Sequence, residues 1–159
     1  MPYKEEQIKL LIFRYQQSAF AFVLYLIGGD QDKAYDICAA SFAEAMRAGF
    51  PLEHEEVFLN RLVSIAVEKI RNVKTIPNFD VIELLEISGA EKGQLLIVLK
   101  ALQTLDFEQK APLLLRYQIN LSYRDIGAVM RISEGNARIK TAQARAQLEK
   151  ESERILNNS

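Results

Sequence analysis

"LSYRDIGAVMRISEGNARIK", Leu121 to Lys140, holds two serines that each stand directly before a run with helical apolar spacing. Ser122 predicts the cap of a short helix, Tyr123 to about Met130, and Ser133 the cap of a longer one, Glu134 to about Ser152. The turn "MRIS" between them has the length of a helix-turn-helix connection. Ile126, Val129, Ile132, Ala137 and Leu148 supply its small core. On the second helix, a hundred degrees per residue puts Ala137, Thr141, Ala144 and Leu148 on the inward side. Gly135, Ile139, Ala142 and Ala146 then point outward, with Arg138 and Gln143 on their shoulders.

Upstream of this unit the same logic predicts helices and little else. Asp106 caps a helix with Gln109 three residues on, as a capping box requires, and Pro112 within that helix predicts a kink. Helical spacing resumes at Gln94 with Leu95, Leu96, Val98, Leu99 and Leu102. Before that, "TIPNFD" and "ISGAEKG" interrupt the pattern. The N-terminal part carries three periodic runs. One spans about Glu5 to Ile27 with Ile8, Leu11, Ile12, Tyr15, Ala19, Phe22, Val23 and Leu26 inward. The next runs from a cap at Asp30 or Asp32 to about Ala48, and the third covers about Glu55 to Val73, with Phe58, Leu59, Leu62, Ile65, Ala66, Lys69 and Ile70. The fold class expected is all-α: a three-helix bundle over residues 1–75, a linker over 76–92 and a four-helix domain with the helix-turn-helix over 93–159.

Composition agrees. Of 159 residues 49% are hydrophobic and 26% charged, a balance that supports a packed core rather than disorder. Cys38 has no partner for a disulfide and reads as a buried thiol. No signal peptide is read at "MPYKEEQ", and "AFAFVLYLI" is short for a bilayer span, so a cytoplasmic protein is expected. The net charge of −1 is unevenly placed. From Ala111 onward eight Lys and Arg face five acids, whereas Asp80 to Lys110 holds six acids and three lysines. The basic part therefore surrounds the helix-turn-helix.

No nucleophile–base pair, carboxylate dyad or phosphate-cradling glycine loop occurs, so neither an enzyme nor a cofactor is expected. His54 in "PLEHEE" lacks a second His or Cys at ligand spacing, so no metal is expected. Most of the aromatic set Phe13, Tyr15, Phe20, Phe22 and Tyr25 is explained by burial in the three-helix bundle.

The stretch "ALQTLDFEQKAPLLLRYQINLSYRDIGAVMRISEGNARIKTAQARAQL" resembles the C-terminal domain of the extracytoplasmic-function group of bacterial RNA polymerase sigma factors. "LLLRY", "LSYRDI", "ISEG" and "ARAQL" carry the resemblance. A weaker likeness covers about Leu10 to Lys74, through "GGDQDKAYDICAASF" and "FLNRLVSIAVEKIRNVK". The resemblance implies a cytoplasmic specificity factor with two partners, core RNA polymerase and promoter DNA. The first domain would dock on the polymerase and capture the −10 element, and the second would read the −35 element. On that basis the DNA-binding candidates are Arg124, Asn136, Arg138, Ile139, Lys140, Ala142, Gln143 and Arg145. Arg138 suits a guanine and Gln143 an adenine, Ile139 or Ala142 suits a thymine methyl, and Lys140, Arg145 and Arg124 suit phosphates. Upstream-element capture falls to Phe58, Arg61, Arg71 and Lys74, and polymerase binding to Asp36, Ala39, Ala40 and Glu44.

The departures from that pattern support a second expectation. Ala39-Ala40 replace a Gln-Glu pair, Asn136-Ala137 a Thr-Val pair, Thr141 a large aliphatic and Gln143 a basic residue. Phe58 stands for Trp, and Ile65 and Lys69 stand where Asn and Asp are usual. A sigma-like interaction protein that binds an anti-sigma factor or another regulator without reading promoters is the alternative. A plain helix-turn-helix repressor would need a dimer to read a palindrome, and no dimerisation helix is evident.

Overall fold

The computed structural model describes residues 5–47, 55–72 and 94–158. Seven helices occur among them, and no strand: α1 Glu5–Ile27, α2 Gln31–Arg47, α3 Glu55–Arg71, α4 Gln94–Leu102, α5 Phe107–Tyr117, α6 Tyr123–Met130 and α7 Glu134–Asn157. The expected linker, with Lys74 and His54, lies outside the described residues.

Local chemistry sets the helix ends. Gly28 and Gly29 adopt φ of 91° and 95° and stop α1, because a positive φ costs glycine no Cβ clash. Of the two possible caps for α2, Asp30 does the work: its carboxylate accepts from the Lys33 N–H at 3.1 Å. Asp106 and Gln109 form the full capping box of α5, at 3.0 Å and 3.2 Å in the two directions. That helix is continuous through Pro112 to Tyr117.

The first three helices form a bundle whose own core holds Leu11, Ala19, Cys38, Phe42, Phe58 and Leu62. A second core runs across the molecule, joining Phe22, Leu24, Ile27, Val63 and Val67 to Leu99, Leu102, Leu115, Ile126 and Ala144. The two helical groups therefore pack together, with α1 against α5 and α3 against α6. A single apolar stripe on each helix of the first bundle leaves out Leu24, Ile27, Val63 and Val67. The same stripe predicts Ile12 inward, whereas Ile12 is exposed and lines a groove between α1 and α2. Ile12 departs because the closest packing on α1 follows the row of Leu11, Ala19, Phe22 and Leu26.

By length and composition α1 could also cross a membrane, but seven of its residues are buried in these two cores. Helix α1 packs against α2, α3 and α5, whereas Leu10, Ile12 and Phe13 on the same helix are exposed.

Candidate nucleic-acid interface

The helix-turn-helix is α6, the turn and α7. Ser122 Oγ accepts from the Asp125 N–H at 3.1 Å, and Ser133 Oγ from the Asn136 N–H at 3.1 Å. Each cap satisfies a backbone donor that the first turn of a helix leaves without a partner. Between them Arg131 takes the left-handed conformation, φ 60° and ψ 44°, and its N–H reaches the Gly127 carbonyl. The Ile132 N–H bonds the same carbonyl at 2.9 Å. Turn and first helix are thereby locked together at Gly127.

The inward stripe of α7 is as the periodicity predicts: Ala137, Thr141 and Ala144 are buried and Leu148 is partly so. The Thr141 hydroxyl donates to the Ala137 carbonyl at 2.7 Å, so its burial leaves no donor unsatisfied. The opposite face is open. Asn136, Arg138, Ile139, Ala142, Gln143 and Arg145 are exposed and Lys140 is half-buried. A groove-reading helix needs this arrangement, with a long polar side chain and an apolar methyl on one solvent-facing strip. Arg124 is exposed on α6.

Several of these cations already have partners within the protein. Arg138 lies over the Tyr123 ring, 4.6 Å from its centroid. Arg145 donates to the Tyr117 hydroxyl at 3.1 Å and to Glu149 at 3.2 Å, contacts that raise its pKa above the ordinary arginine value. Lys140 lies 4.0 Å from Glu108, whose other oxygen accepts from Arg71 at 2.7 Å. Arg131 reaches Glu68 at 3.6 Å. Glu108 and Glu68 thus sit between basic groups of the two helical parts. None of these acids was singled out from the sequence; their meaning depends on how the two parts pack.

The first-bundle candidates fall in separate places. Asp36, Ala39 and Ala40 are exposed along α2. Ala39 also lines the apolar groove between α1 and α2, of about 620 Å³, whose walls include Ile12, Phe20, Tyr35 and Phe42. Glu44 is half-buried and paired with Lys69 at 3.3 Å. Arg61 is exposed and lines a polar cleft with Glu68, Lys69, Asn72 and Arg131. Phe58 is buried to 1% exposure, with the rings of Tyr15 and Phe42 about 6 Å away. In this arrangement its ring serves the bundle core. Tyr15 in turn donates to Glu55, which also pairs with Arg14. Among the described residues no group of His, Cys, Asp and Glu is placed to hold a metal ion.

Residues 95–148 match the family model for sigma-70, region 4. That segment begins within α4 and ends in α7 at Leu148, so it covers α6, the turn and most of α7, about a third of the chain. No curated protein matches the chain.

Proposed function

We propose that this chain is a sigma factor of the extracytoplasmic-function type, a cytoplasmic protein that binds core RNA polymerase and directs it to promoters. The observation that carries the proposal is the open strip of α7, with Arg138, Ile139, Ala142 and Gln143 exposed within the segment that matches region 4. In this reading α7 enters the major groove at the −35 element, with Arg138 and Gln143 on base edges and Lys140, Arg145 and Arg124 at phosphates. The exposed α2 face around Asp36, Ala39 and Ala40, with Glu44, meets the polymerase. Arg61, Arg71, Lys74 and Phe58 belong to the part that handles the −10 element. Phe58 would contribute through the packing of α3, since its ring is buried.

The test is size-exclusion chromatography with bacterial core RNA polymerase, followed by footprinting on DNA selected by the complex. Near-equimolar co-elution and a discrete footprint are the expected results. Arg138→Ala should weaken binding to the selected sequence by about 1–3 kcal/mol and relax one base position. Absence of both co-elution and footprint, with the protein folded, overturns the proposal.

Two observations favour the second reading, an interaction protein that engages an anti-sigma factor or other regulator. Glu108 holds Arg71 and approaches Lys140, and alanines stand at the expected polymerase-facing positions. Under that reading Asp36→Ala disrupts a protein complex while no sequence-specific footprint is found. A specific footprint would exclude it.

A further inference from the structure

Two arginines of the recognition helix do not project freely; each rests on a tyrosine from the corner that joins α5 to α6. Arg138 stacks over Tyr123, the first residue of α6, and Arg145 lies over Tyr117, the last residue of α5, 5.6 Å from its centroid. Positions seven apart on a helix fall nearly in line, so both arginines lean from the same edge of α7 toward the same corner. Arg116 is the third member. Its guanidinium donates to the Leu121 carbonyl at 3.0 Å and lies over the Tyr123 ring, 4.4 Å from the centroid. Backbone, Arg116, Tyr123 and Arg138 form one chain of contacts, from a fixed carbonyl to a side chain on the open face.

We propose that Tyr123 is a positioning residue for sequence readout: its ring holds the Arg138 guanidinium ready for a base edge, with Arg116 bracing the ring. The inference rests on α7 being a groove-reading helix.

The physical case is one of pre-organisation. Arginine reads guanine through two parallel hydrogen bonds and needs its planar fork presented in one orientation. An unsupported arginine on an exposed helix loses rotamer freedom when it binds, and that loss subtracts from the discrimination between bases. An aromatic face attracts the guanidinium through its quadrupole and restricts it beforehand. Two cations that would otherwise repel share this ring. Tyr123 also packs against the core that crosses the molecule, so the platform is anchored.

The experiment compares the whole protein with Tyr123→Leu and Tyr123→Phe, each alone and with Arg138→Ala, using DNA fragments selected by the wild type and single-base variants of them. Leucine keeps apolar bulk against the core but lacks a π-face, and phenylalanine keeps the face without the hydroxyl. Tyr123→Leu is expected to reduce the preference at the Arg138-dependent base by about three- to tenfold, leaving preferences elsewhere in the site within about twofold. Tyr123→Phe should restore it, and Tyr123→Leu should add nothing once Arg138 is alanine, because contacting residues are energetically coupled. A merely structural role would lower affinity for every sequence alike and leave the preference intact, and that result overturns the inference. Equal loss of preference in the Phe and Leu variants also overturns it, since it would assign the effect to the hydroxyl. A wild-type protein that selects no sequence at all sinks the groove-reading premise instead, and is recognised before any variant is made.

Discussion

Gly127 shows how a single missing methyl can hold a turn in place. A Cβ built there would sit 2.7 Å from the Ile132 carbonyl oxygen and 3.3 Å from the Glu134 nitrogen, both backbone atoms that cannot rotate aside. Alanine is the better helix former, so its propensity gain of about 1 kcal/mol opposes the clash. The clash wins, because relieving it means moving the turn that bonds twice to the Gly127 carbonyl. Gly127→Ala is therefore expected to lower stability by about 1–3 kcal/mol, as overpacking typically does, in urea or thermal unfolding followed by circular dichroism. An unchanged midpoint would mean that the turn yields freely. Gly135→Ala is the natural control, since nothing lies within 4 Å of a Cβ at that position. In the sequence Gly135 stands on the outward strip of α7, whereas nothing in the spacing marks Gly127. Close backbone approach leaves no mark in periodicity, so the more constrained glycine was the less legible one. The aromatic seats under Arg138 and Arg145 were hidden for the same reason: they are contacts between neighbouring elements.

Elements were far more legible than contacts. Ser122, Ser133 and Asp106 announce their helices because capping is local chemistry between residues three apart, and all three caps form. Where local signals weaken, the boundary drifts. Helix α7 was expected to end near Ser152 but reaches Asn157. Side-chain pairs carry it onward: Gln147 to Glu151 at 3.3 Å and Arg154 to Glu151 at 2.9 Å, each a modest stabiliser of an exposed helix. The inward stripe of α7 is built of small residues: Ala137, Thr141 and Ala144 are buried, and small side chains let α7 lie close to its neighbours. Capping then matters more to α7 than any one large side chain. Ser133→Ala should cost about 1 kcal/mol, measured as a shift in the denaturant midpoint at constant slope, and Ser133→Asp should recover most of it. If alanine is silent, the helix start is held by the turn alone.

At the scale of the molecule, sequence separates two helical parts and structure joins them through one core. The joining surface was illegible because it uses second faces. Val63 and Val67 on α3, with Leu24 and Ile27 on α1, lie beside the stripe that serves the first bundle, and a single-face reading leaves them out. Lys110 is the extreme case, since charged side chains are seldom fully buried. It is only 6% exposed, and its ammonium reaches the Tyr25 carbonyl in the last turn of α1 at 3.4 Å. The negative end of that helix favours a cation there, but burial outweighs it and holds the Lys110 pKa down at about 8 rather than 10.5. The folded protein thus releases this proton before the unfolded chain does. Between about pH 8 and 10.5 the unfolded state binds more protons, so this group makes stability rise with pH. Below pH 8 both states are charged and the burial cost is felt in full, on the order of 3 kcal/mol. Cys38 acts in the opposite sense. Burial pushes its thiol up to about 11 from 9, so above pH 9 the unfolded state loses that proton first and stability falls. The clear window for Lys110 is therefore pH 8 to 9. Lys110→Met should be more stable than wild type at pH 7 by about 1–3 kcal/mol, and the rise between pH 8 and 9 should vanish with it. Urea unfolding at closely spaced pH values checks both. A methionine variant no more stable at pH 7, with the rise intact, would show that Lys110 reaches solvent and that the two parts are not closed around it.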